Sequence, residues 1–198
     1  ALNLALKGFL RSGDHVILSS MEHNSVLRPL KSLEGIGVSR TVVSCAPDGS
    51  LDLKALQEAL RPNTRLIALT HASNVVGTLM PIQEVGDWTR RQGITFLVDA
   101  AQTAGSLPLN VEDYGIDLLA APGHKGLLGP PGTGFLYLRD GIDLRPLVEG
   151  GTGSQSDREE QPLYLPDRYQ SGTMNTPGIA GLGAAIDFLL REGLEKVR

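Results

Sequence analysis

Short apolar runs alternate with amphipathic stretches along most of this chain. The runs are bounded by turn-forming residues, as strands are, and the stretches between them repeat apolar residues at helical spacing. This alternation predicts an α/β fold with three layers, in which helices flank a mostly parallel sheet. Strands are predicted over residues 15–19, 39–43, 65–70, 95–99, 116–120 and 134–138, and helices over 25–33, 53–60, 82–91 and 179–191.

The pattern changes in the last third of the chain. Residues 139–178 lose their periodicity and are rich in Gly, Pro, Ser and Asp, which indicates a long functional loop or a crossover towards another domain. Residues 1–6 begin inside a helical pattern that lacks an N-cap, and residues 192–198 end inside another. We therefore expect a single domain over residues 1–198 that is an interior piece of a longer protein.

Composition narrows the functional classes. Hydrophobic residues make up 41% and charged residues 20%, as in ordinary globular proteins, and the net charge of -4 argues against a general nucleic-acid surface. No apolar run reaches membrane-spanning length, and no signal-peptide pattern is present. The single cysteine, Cys45, fits a reducing compartment, so we expect a cytoplasmic protein. The histidines lack metal-ligand spacing, so no metal site is predicted.

Polar residues follow four of the predicted strands. Ligands of open α/β sheets bind outside the carboxyl ends of the strands, so these residues are expected to share one site. The polar groups are Glu22 to Asn24, His71 with Ser73 and Asn74, Asp99 with Gln102, and Gly123 to Lys125.

Lys125 and Asp99 indicate the chemistry. Of the five lysines, only Lys125 lies in a glycine-bounded loop, where an amine can approach a carbonyl and form an imine. Asp99 ends a buried strand, where a carboxylate can hold the protonated ring nitrogen of pyridoxal phosphate (PLP). Each feature has an ordinary alternative, because the aspartate can cap a helix and the lysine can lie in a plain surface loop. Together they favour a PLP site.

The neighbouring polar residues have roles if PLP binds. Gln102 and Asn74 can reach the phenolic oxygen of the ring, and His124 can contact the phosphate. His23 can lie over the ring face and transfer a proton, while Lys125 carries the cofactor as a Schiff base and then acts as a base. Alone, His23 and His71 fit satisfied structural histidines, and Asn74 fits a turn residue.

The motifs also carry a family resemblance. They are Ala1-Leu2-Asn3, Gly13-Asp14-His15-Val16-Ile17, Glu22-His23-Asn24-Ser25, Thr70-His71-Ala72-Ser73-Asn74-Val75-Val76-Gly77-Thr78, Val98-Asp99-Ala100-Ala101-Gln102, Gly123-His124-Lys125-Gly126, Gly151-Thr152-Gly153 and Ser171-Gly172-Thr173-Met174-Asn175. In these segments the chain resembles the class V aminotransferases among the fold-type I PLP enzymes. The resemblance is strongest to the branch of cysteine desulfurases and selenocysteine lyases.

The resemblance implies that residues 1–198 are the large PLP-binding domain, without its N-terminal segment and its C-terminal small domain. It implies the same roles for His23, Asn74, Asp99, Gln102, His124 and Lys125. It adds Thr173, whose counterpart reaches the phosphate of the neighbouring subunit's cofactor, and hence a homodimer with sites at the interface. Pro122 departs from the family, since many desulfurases have a phosphate-binding serine there. The Gly/Thr phosphate turn is expected before Ala1, and the persulfide cysteine and the carboxylate-binding arginine after Arg198.

The implied activity is that of a cysteine desulfurase. Such an enzyme converts L-cysteine to L-alanine and enzyme-bound sulfur through an internal aldimine, here at Lys125, and can pass the sulfur to an acceptor protein. A class V aminotransferase, a selenocysteine lyase and an epimerase share the scaffold and remain alternatives. A further alternative is that these residues fold into a domain that does not turn over substrate.

Overall fold

A computed structural model of the chain describes residues 1–197 and shows one six-stranded sheet. Arg198, the last residue of the predicted domain, lies outside the described residues. The strand order is β2-β1-β3-β4-β5-β6, and all neighbours are parallel except β5 and β6. The strands are β1 (His15–Ser19), β2 (Ser39–Val43), β3 (Thr64–Thr70), β4 (Thr95–Asp99), β5 (Leu118–Pro122) and β6 (Gly134–Leu138). The helices are α1 (Leu2–Phe9), α2 (Asn24–Glu34), α3 (Leu53–Glu58), α4 (Ile82–Gln92), α5 (Thr176–Glu192) and α6 (Leu194–Val197).

Helices cover both faces of the sheet. Along β1, Ile17 belongs to one buried apolar cluster while Val16 and Leu18 belong to the other, because successive side chains of a strand point to opposite faces. The first cluster includes side chains of α3, α4 and α5, and the second includes side chains of α1 and α2. The predicted three-layer α/β architecture with a mostly parallel sheet is therefore confirmed.

Most predicted strands have the expected bounds, but β5 begins two residues later than predicted. The carboxylate of Asp117 accepts a hydrogen bond of 2.8 Å from the backbone N–H of Phe96 and pairs with Arg139. The side chain of Asp117 therefore bonds to β4 and to Arg139, the residue after β6, just before β5 begins. The loss of periodicity after residue 138 is confirmed, since no helix or strand is found within residues 139–175.

Helix starts follow capping chemistry. The carboxylate of Asp52, the N-cap of α3, accepts hydrogen bonds from the backbone N–H groups of Lys54 at 2.9 Å and Ala55 at 3.2 Å. Helix α5 begins three residues earlier than predicted, because the side chain of Asn175 accepts from the N–H of Gly178 and caps it there.

The sheet topology positions the site. The chain continues from β1 to β2 on one side and then crosses to β3 on the other, so the direction of sheet growth reverses between β1 and β3. Ligands of open α/β sheets bind at the carboxyl ends of strands near such a reversal. The parallel strands β1, β3, β4 and β5 all end at this edge. Among the described residues, no helix has the length and apolar character needed to cross a membrane.

Candidate active site

A cavity of about 920 Å³ lies at this edge of the sheet. The segments that follow β1, β3, β4 and β5 each contribute to its wall, together with the start of α1 and the start of β6. Its polar lining includes Asn3, His23, Ser25, Thr70, Asn74, Asp99, Gln102, His124, Lys125, Thr133, Tyr169 and Gln170. The four segments that follow β1, β3, β4 and β5 therefore deliver polar groups to one cavity, as the strand order requires.

Six of the seven predicted site residues line this cavity, namely His23, Asn74, Asp99, Gln102, His124 and Lys125. The seventh, Thr173, is exposed and does not line it. Since Thr173 was expected to contact the cofactor of a neighbouring subunit, that contact stays a prediction. The roles of the other residues towards a cofactor also stay predictions.

Asp99 is the buried carboxylate of the cavity and is only 4% exposed. Burial raises its pKa, while a 3.0 Å hydrogen bond from the N–H of Ala101 and the nearby positive charge of Lys125 act in the opposite direction. The other carboxylate oxygen, Oδ2, has only a long contact of 3.5 Å with the hydroxyl of Ser25 among the described residues. A buried acid with one weakly bonded oxygen at a cavity wall is suited to bind a cationic N–H group of a ligand.

Lys125 lies in a loop over residues 123–133 that connects β5 to β6. The loop is closed at its base, where the N–H of Gly123 donates to the carbonyl of Thr133 at 2.8 Å. A Cβ atom at Gly126 would lie 2.6 Å from the carbonyl oxygen of Ala104, in the turn that follows β4. The glycine after the lysine thus permits close contact between the lysine loop and the segment that carries Gln102.

His23 lies at the N-terminus of α2 and caps that helix with its ring. Nδ1 accepts a hydrogen bond from the backbone N–H of Ser25 at 3.1 Å and lies 2.8 Å from the hydroxyl oxygen of Ser25. An imidazole in this position takes the place that Ser, Asp or Asn usually occupies at an N-cap. The helix start therefore fixes the ring at the cavity wall.

Glu22 was not predicted as a site residue, although it belongs to the polar group that follows β1. Its carboxyl oxygen Oε1 accepts from the hydroxyl of Ser19 at 2.6 Å and from the N–H of Thr70 at 3.0 Å, so it joins the ends of β1 and β3. Burial raises its pKa to about 8. Oε2 is buried and has no hydrogen-bond partner among the described residues. Burial thus favours the neutral acid form of the residue that directly precedes His23.

Sequence reasoning also missed Ser25, Thr70 and Tyr169, which line the cavity. Ser25 could have been found from its place two residues after His23 at a helix start, where hydroxyl side chains contact the cap. Tyr169 lies in the aperiodic segment and carried no signal; its hydroxyl accepts from the N–H of Leu144 at 2.9 Å.

The remaining candidate polar residues do not join the cavity. His71 is buried, does not line it, and packs edge-on against the ring of Tyr114. Burial lowers its pKa, which favours the neutral ring. Cys45 is half-buried on an isolated bridge with Leu51 and also lies outside the cavity. Within residues 1–197, no group of His, Cys, Asp and Glu side chains is arranged to hold a metal ion.

Comparison with known proteins identifies the same family that the sequence motifs resemble. The sequence profile of the aminotransferase class-V family matches residues 1–198. The chain is 38% identical to a probable cysteine desulfurase of Methanothermobacter thermautotrophicus, over 100% of the chain and 51% of that protein. The chain therefore spans about half the length of the curated relatives it matches.

Solved structures agree in fold. The apo structure of a cysteine desulfurase from Thermococcus onnurineus NA1 superimposes with a TM-score of 0.87 at 33% identity, covering 98% of the chain and 50% of that structure. A structure described as SspA in complex with cysteine gives a TM-score of 0.81 at 36% identity, covering 94% of the chain and 52% of that structure. The chain belongs to the aminotransferase class-V family.

Proposed function

We propose that the protein containing this chain is a PLP-dependent cysteine desulfurase that converts L-cysteine to L-alanine and enzyme-bound sulfur. The observation that carries the proposal is that Lys125 and the buried Asp99 line the same cavity at the carboxyl edge of the sheet. The names of the relatives, including a probable cysteine desulfurase and a structure with bound cysteine, support the choice of substrate.

The residues present fit PLP. The cavity volume of about 920 Å³ lies within the range of roughly 300–1,000 Å³ that is usual for small-molecule sites. The Oδ2 atom of Asp99 has no short hydrogen bond within the described part of the chain, so it is available to a ring N–H. Lys125 is exposed, so its amine has access to a carbonyl group. When bound, PLP supplies an electron sink for charge that develops on a substrate amino acid.

The chain's own residues have distinct tasks in this proposal. Asp99 binds the protonated ring nitrogen, and its negative charge keeps the proton there. Asn74 and Gln102 donate hydrogen bonds to the ring oxygen, and His124 contacts the phosphate. Lys125 holds the cofactor and moves a proton at the α-carbon of the substrate.

Pro122 lies at the cavity wall but cannot help to bind phosphate through its own polar groups, because proline has neither a hydroxyl nor an N–H. We assign the remaining phosphate contacts to residues outside this chain and to Thr173 of a neighbouring subunit. The proposed active form is thus a homodimer. Cys45 is outside the cavity, so the proposed sulfur-binding cysteine is a different residue.

The first experiment tests the cofactor. We expect the full-length protein to bind PLP with a visible absorbance band that Lys125→Ala removes and Lys31→Ala retains. Lys31 is the matched control because it is exposed on α2 and, within residues 1–197, pairs only with Glu34. A full-length protein that never develops the band would overturn the proposal, as would a band that survives in Lys125→Ala.

The second experiment tests the reaction. The holoenzyme is incubated with L-cysteine and a thiol reductant, and both sulfide and alanine are measured. We expect equal amounts of the two products. Exchange of amino groups between an amino acid and a keto acid would indicate an aminotransferase instead, selenide release from selenocysteine alone a selenocysteine lyase, and a change of stereochemistry an epimerase. A holoenzyme without any of these activities would overturn the proposal.

A further inference from the structure

The ring of His23 is held in a way that restricts where its proton can be. A backbone N–H is a donor only, so the 3.1 Å contact from the N–H of Ser25 requires a lone pair on Nδ1. A neutral imidazole carries one proton, and one ring nitrogen is then an acceptor while the other is a donor. If Nδ1 is the acceptor, the proton must lie on Nε2.

The hydroxyl of Ser25 acts in the same direction. It has one proton and two possible acceptors, namely Nδ1 of His23 at 2.8 Å and Oδ2 of Asp99 at 3.5 Å. The shorter distance favours donation to Nδ1, since a hydrogen bond at 3.5 Å is near the limit of useful geometry. Two donors of the same residue therefore converge on one ring nitrogen.

The other ring nitrogen, Nε2, has no protein partner within the described part of the chain. Nε2 has no hydrogen bond with any of residues 1–197, and the His23 ring is exposed and lines the cavity beside Asp99 and Ser25. To act as a base through Nε2, the neutral ring would need its proton on Nδ1. That proton would face the N–H of Ser25 and would remove the cap of α2.

We propose that the first turn of α2, through Ser25, fixes His23 as the Nε2–H tautomer, so that His23 serves a bound molecule as a hydrogen-bond donor and not as a base. The ligand group it suits is an oxygen acceptor, such as a carboxylate or phenolate oxygen. Ser25 is a positioning residue in this arrangement. The role towards a ligand rests on the proposed function, whereas the tautomer does not.

The tautomer is tested on the chain without cofactor by ¹⁵N NMR of its imidazole rings. The His23 signals are identified as those missing from His23→Asn. We expect a protonated Nε2 and an unprotonated, hydrogen-bonded Nδ1 near neutral pH. In Ser25→Ala the Nδ1 signal should move towards that of a ring nitrogen with fewer donors, and Ser25→Thr should restore it. A proton on Nδ1 would overturn the proposal, and an unchanged Nδ1 signal in Ser25→Ala would overturn the part assigned to Ser25.

The role as a donor is tested on the holoenzyme with two matched variants. His23→Asn retains an oxygen that can cap α2 but has no donor at the position of Nε2, whereas His23→Gln has an N–H group there and weakens the cap. If His23 is a donor, His23→Gln retains more turnover than His23→Asn although its midpoint of thermal unfolding is lower. Equal loss of turnover in both variants, with the cap effect present, would indicate a base and overturn the proposal. A protein that binds no PLP would defeat the proposed function but leave the NMR result valid.

Discussion

The carboxyl group of Glu22 accepts a hydrogen bond from the backbone N–H of Thr70 at 3.0 Å, across the point where the sheet changes its direction of growth. Thr70 is the register partner of Asp99 on the next strand. Glu22 also precedes His23, so a single buried acid links the turn that carries the histidine to the strand beside the aspartate. Substitutions around this link give distinct predictions.

Replacement of Glu22 by Gln should alter the pH dependence of stability. The pKa of Glu22 is about 8 in the folded chain because of burial, against an ordinary value of 4.5. Between these values the unfolded chain has lost the proton that the folded chain keeps, so the folded state becomes less stable as the pH rises. We expect this group to lower the free energy of unfolding by up to roughly 1 kcal/mol per pH unit, and Glu22→Gln to remove that loss.

The measurement is urea unfolding between pH 6.5 and pH 8, a window within the range set by the two pKa values of Glu22. Glu112→Gln serves as the control, because Glu112 is exposed and its substitution should leave the slope unchanged. A slope in Glu22→Gln equal to that of the unchanged chain would contradict the prediction.

His15 should act in the opposite direction at lower pH. Burial, with a smaller effect of Arg61, lowers its pKa from 6.5 to about 4, and its ring nitrogens contact the hydroxyls of Thr64 and Thr41 at 2.8 Å each. Between these pKa values the unfolded chain takes up a proton that the folded chain excludes. Stability should therefore fall as the pH drops from 6.5 towards 4.

The effect of His15 is separated from that of Glu22 by working in the Glu22→Gln background. There, addition of His15→Gln should flatten the dependence of the free energy of unfolding on pH in this acidic range. His124→Gln, which replaces an exposed histidine, should leave the pH dependence of the free energy of unfolding unchanged. An unaltered acidic slope after His15→Gln would show that another group is responsible.

Gly126→Ala should destabilise the chain and weaken cofactor binding. The new Cβ would lie 2.6 Å from the carbonyl oxygen of Ala104, so the lysine loop or the turn after β4 must move. We expect a loss of about 1–3 kcal/mol, as for other overpacked sites. Gly183→Ala on α5 is the control, because its Cβ meets nothing within 4 Å and alanine favours a helix. Calorimetry and PLP titration measure both effects, and a Gly126→Ala chain as stable as the parent would refute the close contact.

Asp99→Asn should separate stability from function. Since burial raises the pKa of Asp99, its charged form is disfavoured in the folded chain, and we expect the amide variant to be more stable without cofactor at pH 8. In the holoenzyme the same change removes the charge that holds the ring proton, and turnover should fall by at least ~10²-fold. A variant that keeps full turnover would exclude the proposed partner of the ring nitrogen.

The local pattern of apolar and turn-forming residues was sufficient to predict most strands of the sheet. Strands β1, β2, β4 and β6 have their predicted bounds because each is a short apolar run between turn residues. The β5 boundary was missed because Asp117 uses its side chain to bond a neighbouring strand, a contact between residues distant in sequence. The start of α5 differs from the prediction because Asn175 and Gly178, which form its cap, lie in the segment whose composition indicates a loop.

The part of the site that could be predicted consists of residues at the carboxyl ends of parallel strands. His23, Asn74, Asp99, Gln102 and Lys125 meet because their strands end at one edge. The pairing of Glu22 with Thr70 depends on side-chain directions across the sheet, which no spacing rule contains. The position of Tyr169 depends on how an aperiodic segment folds back on the cavity.

The single antiparallel pair of the sheet has a consequence for the lysine. Because β6 runs back along β5, both ends of the 123–133 loop are attached to paired strands, and Pro122 and Gly134 lie opposite each other. The loop that carries Lys125 is therefore held at both ends, which limits the positions that the amine can reach. β6 is also the last strand at its edge of the sheet. A substitution that unpairs β6 from β5 would release one end of this loop, and the amine of Lys125 would lose its fixed position.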